Sequence, residues 1–136
     1  MTEALASGTD HPTDWEPRDG GWWLLASRCE RCANRAYPAA DHCHRCGAEG
    51  PLPRVPIAAS GRVYTHTRVH AAPAEFPTPY TLAYVDLDDG PRVLGRLAEE
   101  PPTAGIGDRV RAVPRVVGRT AQGEPLHAPY FIRQEV

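Results

Sequence analysis

Two Cys-x2-Cys pairs, Cys29-Glu30-Arg31-Cys32 and Cys43-His44-Arg45-Cys46, stand ten residues apart and constrain this chain more than any other feature. Each such turn aims two thiolates at a common centre while backbone amides in the turn stabilise their charge. Two turns joined by a short hairpin complete the tetrahedral sulfur shell that zinc accepts. The chain has four cysteines and the pattern consumes all of them. It predicts a rubredoxin-like zinc ribbon over residues 22–50, with a structural Zn2+ held by Cys29, Cys32, Cys43 and Cys46. Iron takes the same ligand set and disulfides are the other alternative, so zinc versus iron stays open at the level of ligands. Four thiolates leave no position for a substrate, so the metal is expected to hold structure or shape a docking surface. His42 and His44 flank the third ligand and are read as neighbours of the knuckle, with exchange of one of them for a cysteine as the alternative.

The disulfide alternative depends on compartment. Residues 1–10 lack both the basic start and the apolar stretch of a secretory signal, which points to the cytoplasm, where thiols stay reduced. No apolar run approaches the ~20 residues that span a bilayer. The 136 residues suit one domain with a small satellite module. The basic side chains other than histidine are 15 arginines, and the net charge of −2 is unevenly placed. Residues 1–20 hold five acids and one base, which leaves a near-neutral body without the concentrated basic surface of a duplex-binding protein.

Residues 1–21 are polar, acidic and broken by Pro12, Pro17 and Gly20-Gly21, and are expected to form a poorly ordered arm. Trp15 is read there either as an anchor or as a local surface contact. After the ribbon, Gly50 to Pro56 carries three prolines and reads as a stiff connector into a domain covering residues 51–136. Five stretches there have strand character: Gly61 to His70, Thr78 to Leu87, Pro91 to Leu97, Arg109 to Val117 and Leu126 to Arg133. Asp88-Asp89-Gly90 signals a hairpin turn between the second and third. Five short strands without a long amphipathic helix predict a mostly β chain ending in a five-stranded OB-fold barrel.

Period-two reading of the first barrel strand sets Val63, Thr65, Thr67 and Val69 on one face and Tyr64, His66, Arg68 and His70 on the other. With Tyr80 of the next strand, the row Tyr64, His66 and Arg68 is a candidate ligand-binding face. Arg68 would grip a phosphate or carboxylate and Tyr64 would stack on a base or line an acyl channel. The plainer reading is a solvated outer face. On the second strand Thr81, Ala83, Val85 and Leu87 are expected in the core. No nucleophile elbow, His-Glu-x-x-His motif, phosphate-cradling loop or dinucleotide fingerprint is present, and no catalytic residue is assigned.

The order of a four-Cys ribbon, a proline-rich connector, Ala-Ser-Gly-Arg-Val-Tyr-Thr-His-Thr-Arg-Val-His, Pro-Tyr-Thr-Leu-Ala-Tyr-Val-Asp-Leu-Asp-Asp-Gly-Pro-Arg and Ile-Gly-Asp-Arg-Val resembles the acyl-CoA-associated zinc-ribbon/OB-fold family, domain of unknown function 35. The likeness runs from about Trp22 to Ile132. It implies a non-catalytic accessory subunit that binds a thiolase-superfamily enzyme (a thiolase, an acyltransferase or a steroid side-chain aldolase) and helps to form or stabilise its acyl-CoA site. A MaoC-like enoyl-CoA hydratase is the alternative partner. Outside the resemblance, OB barrels and zinc ribbons also serve as single-stranded nucleic-acid-binding modules, which the charge balance disfavours.

Overall fold

A computed structural model describes residues 14–134. Nine strands follow in order: β1 (Trp15–Arg18), β2 (Gly21–Arg28), β3 (Arg35–Ala36), β4 (Arg54–Ala58), β5 (Ser60–Val69), β6 (Tyr80–Leu87), β7 (Arg92–Leu97), β8 (Arg109–Arg119) and β9 (Pro125–Arg133). No helix among the described residues is long and apolar enough to cross a membrane.

The first four strands make the ribbon sheet around β2. The composition predicts a poorly ordered arm as far as Gly21, but residues 15–18 form a strand paired in register with β2, from Trp15 opposite Leu24 to Arg18 opposite Gly21. The two-residue turn explains it. Asp19 and Gly20 both adopt positive φ, 55° and 79°, the backbone that a tight hairpin matching strand twist requires. Pro17 is tolerated because β1 is an edge strand. Residues 1–13, the rest of the expected arm, lie outside the described residues.

The expected connector is in part a strand. Arg54–Ala58 pairs with β2 along five positions, with Pro56 opposite Leu25. As an edge strand β4 needs ladder bonds on one side only, so a proline does not expel it from the sheet. The ribbon sheet therefore extends to Ala58, with Ala59 alone between it and β5.

The last five strands close a barrel in the order β5-β6-β7-β9-β8, with β8 returning to β5. Every neighbouring pair is antiparallel except β7 and β9, which run parallel at Arg96 and Leu97. This is the five-stranded OB arrangement expected from the strand count. Alternation sends Thr81, Ala83, Val85 and Leu87 of β6 inward, all buried, against Val93, Val110 and Phe131.

Ribbon and barrel share one core. Trp15, Leu24, Ala26 and Ile57 of the ribbon join Ala59, Val63, Val85 and Phe131 in a single cluster. Polar contacts pin the seam: Ala58 N–H donates to the Asp89 carboxylate at 3.0 Å, and Arg35 donates to the Asp89 carbonyl at 2.7 Å. The β6–β7 turn is thereby held against the ribbon.

Candidate functional site

Cys29 follows directly on β2, and Cys32 closes the first knuckle, whose Ala33 sits at a positive φ of 66°. The second knuckle carries Cys43 and Cys46 and turns at Gly47, with φ of 81°. Within each turn the chain doubles back by a backbone bond, Ala33 N–H to Cys29 C=O and Gly47 N–H to Cys43 C=O, at 2.8 and 2.9 Å.

The four sulfurs lie within 4.8 Å of one another. Cys29 and Cys46 are 3.6 Å apart and Cys32 and Cys43 are 3.5 Å apart. A tetrahedral shell with bonds of about 2.3 Å places its sulfurs about 3.8 Å apart, so the donor set fits an ion at its centre. The Arg45 and Cys46 amides each lie 3.4 Å from the Cys43 sulfur. The Cys46 amide is the main reason that the Cys43 thiol is drawn down to about 6, against desolvation and with help from the Arg45 amide. The Cys32 amide likewise lowers Cys29. Cys32 has an amide helper in Asn34, yet desolvation and the neighbouring thiols push it up to about 11. A cation at the centre would relieve that crowding, so these four side chains could hold a metal ion. His42 and His44 face each other edge to face, with ring centroids 4.8 Å apart, and neither belongs to the sulfur cluster.

The barrel candidates are divided by a bulge that sequence periodicity does not reveal. Register against β6 shifts between Val63 and Thr65, leaving Tyr64 as the extra residue. Beyond it the faces exchange. His66 stands opposite buried Ala83 and Arg68 opposite buried Thr81, on the inward side, where β5 has run past its pairing with β8. Arg68 pairs with Glu100, whose other oxygen accepts the Thr81 hydroxyl at 3.1 Å. Tyr64 stays on the outer wall, under the Arg92 guanidinium at 3.5 Å. Arg92 also forks onto Asp86 at 2.6 and 3.2 Å, which raises its pKa. Tyr80 pairs with Val69 and packs under Arg96 at 3.9 Å. The single row expected from sequence is thus two sites: Tyr64 and Tyr80 on the outer wall, His66 and Arg68 at the barrel mouth.

The outer wall carries a feature that the sequence reading missed. Tyr84 and Leu94 are cross-strand partners, 45% and 49% exposed, which is high for apolar side chains of this size. They border a cleft of about 470 Å3 between barrel and ribbon, lined also by Asp14, Tyr37, Arg92 and His127. Burial pushes the Tyr37 hydroxyl up to about 12, with Asp14 adding to it. Only closure of the ribbon onto the barrel creates this cleft, so no local pattern announces it.

The C-terminal OB-fold domain model of ChsH2 matches residues 54–115. A DUF35 domain-containing scaffold protein of Methanocaldococcus jannaschii is 30% identical over 102 residues, covering 73% of this chain and 72% of that protein. This chain belongs to the ChsH2/DUF35 OB-fold family. Another similar protein, the benzoylsuccinyl-CoA thiolase subunit BbsA of Geobacter metallireducens, is 34% identical over 102 residues, 74% of this chain and 68% of that one. Among solved structures, the Ltp2-ChsH2(DUF35) aldolase superposes with a TM-score of 0.64 at 27% identity, over 82% of this DUF35 chain and 84% of that chain.

Proposed function

We propose that this protein is an accessory subunit that binds a thiolase-like enzyme, stabilises it and helps to complete its acyl-CoA site, with the bond-making chemistry left to the partner. The observation that carries the reading is the likeness to an aldolase complex component over ribbon and barrel together, joined by a relative named as a thiolase subunit. The ion on Cys29, Cys32, Cys43 and Cys46 is read as zinc in a structural role, and the cytoplasm as the compartment. The exposed Tyr84 and Leu94 pair, beside the cleft, is the surface we assign to the enzyme. Apolar side chains with an arginine and tyrosines around them are the composition of protein interface centres. Nucleic-acid binding has weaker support, because Arg68, Arg92 and Arg109 each face a carboxylate.

Co-expression with a candidate thiolase-like enzyme, followed by size exclusion and turnover assays, tests the proposal. The expected result is one complex whose activity falls when Leu94→Asp or Tyr84→Asp separates the subunits. Independent elution of both proteins, with full activity in the enzyme alone, refutes it. A MaoC-like hydratase in the same assay tests the alternative partner.

A further inference from the structure

A second cleft, also about 470 Å3, lies where the two knuckles meet the β6–β7 turn, and its chemistry is different. Arg28, Asn34, Arg35 and Arg45 line it from the ribbon, and Asp89 and Gly90 from the turn. Three guanidiniums against one carboxylate leave the lining with a formal charge of +2. Arg35 is fixed by its bond to the Asp89 carbonyl, and the Asp89 carboxylate is turned to the Ala58 N–H. Arg28 and Arg45 make no side-chain hydrogen bond or ion pair with another described residue, nor does the Asn34 amide. Three cations that line one cleft, with donors to spare, repel one another unless an anion joins them.

We propose that this cleft binds a phosphoryl group carried by a small molecule, with Arg28 and Arg45 as the principal grips and Arg35 and Asn34 supporting them. Guanidinium forks match the oxygens of a phosphate, and a dianion meets the charge of the lining. The volume falls in the ordinary range of small-molecule pockets, about 300–1,000 Å3, so there is room for more than the phosphate itself. The competing explanation is that these arginines only offset the negative charge of a tetrathiolate metal centre. The proposal goes beyond the partner reading and stands or falls without it.

Isothermal titration calorimetry on the metal-loaded full chain decides between them. The titrants are inorganic phosphate, pyrophosphate, adenosine monophosphate and a polyglutamate peptide. Saturable one-to-one binding of a phosphate compound is expected, weakening between about 50 and 200 mM salt. Tighter binding of the nucleotide identifies an organic phosphate as the ligand, and tighter binding of the inorganic ions a free one. Arg45→Gln and Arg28→Gln should each weaken binding about tenfold, the worth of one charge-assisted hydrogen bond, while Arg119→Gln at the β8–β9 tip should not. Arg45 is exposed and is not a metal ligand, so Arg45→Gln carries the test even if Arg28→Gln fails to fold. Absence of phosphate binding overturns the proposal. So does polyglutamate binding alone, which would mark a docking surface for an acidic protein. Metal loss in Arg45→Gln with phosphate affinity unchanged overturns it in favour of simple charge balance.

Discussion

Replacing Trp15 with alanine should cost this protein about 3 kcal/mol, although the residue sits in a stretch whose sequence looks like an unstructured arm. The side chain is 3% exposed. It pairs across the sheet with Leu24, which in turn faces Ile57, so it completes a three-strand apolar layer. Its ring meets Trp22 edge to face, with centroids 6.4 Å apart at 89°. Truncating a buried tryptophan removes about 3–5 kcal/mol, and an aromatic pair contributes about 0.5–1.5 kcal/mol of such stabilisation. One effect acts the other way. The Trp15 Nε1 is buried without a hydrogen-bond partner among the described residues, and deleting an unpaired donor recovers about 1–3 kcal/mol. The balance near 3 kcal/mol corresponds to a fall in Tm of about 12 °C, at roughly 4 °C per kcal/mol for a domain of this size. Trp15→Phe keeps most of the ring and discards the orphan N–H, so its loss should be about 1 kcal/mol. Urea unfolding followed by circular dichroism measures both variants, with the slope expected to stay constant. A change within about 0.5 kcal/mol for Trp15→Ala, as at a surface site, would refute the assignment of this residue to the core.

Other outcomes follow from the same geometry. Cys43→Ala should abolish metal binding and loosen the ribbon, read as metal per chain and as faster amide exchange in β2–β4 than in the barrel; a variant that stays folded and in complex with its enzyme yet loses turnover would contradict a structural role. In Gly95→Ala the new Cβ would lie 2.6 Å from both the Phe131 ring and the Pro129 carbonyl, so unfolding should become easier by about 2–3 kcal/mol, whereas Gly118→Ala, whose nearest neighbour is at 4.0 Å, should cost under about 1 kcal/mol. Burial lowers the pKa of His127 below the ordinary imidazole value, so the unfolded chain takes up the proton first. Its stabilising contribution is present above about pH 6.5 and lost as pH falls through the depressed folded value; an imidazole titrating at or above 6.5 by nuclear magnetic resonance would sink this reading.

The sequence by itself determined whatever depends on neighbours along the chain. The clustering of Cys29, Cys32, Cys43 and Cys46 was legible because a knuckle needs only local spacing and backbone amides to aim its thiolates at one point. The five barrel strands were legible for a similar reason, since alternation over eight or so residues and the Asp88-Asp89-Gly90 turn specify a strand and a hairpin without reference to the rest. Asp19-Gly20 offered the same hairpin signal for β1, but the prolines and acidic residues around it pointed to disorder, and burial of Trp15 against Leu24 outweighed them. Pro56 misled for a related reason: a proline excludes the interior of a sheet, and only the pairing pattern shows that β4 is an edge.

Tertiary structure alone decided which side chains meet. The bulge at Tyr64 exchanges the two faces of β5, because one extra residue in a strand of period two inverts every position after it, and its location is set by the partner strand β6. That shift sends Arg68 to Glu100 and leaves Tyr64 to Arg92. The two clefts arise at the seam, where the ribbon, folded by its own knuckles, is pressed onto the barrel by a shared core. The cysteine cluster could therefore be read from the chain, while the surfaces that the ribbon helps to form required residues far apart in sequence to be brought together by long-range packing.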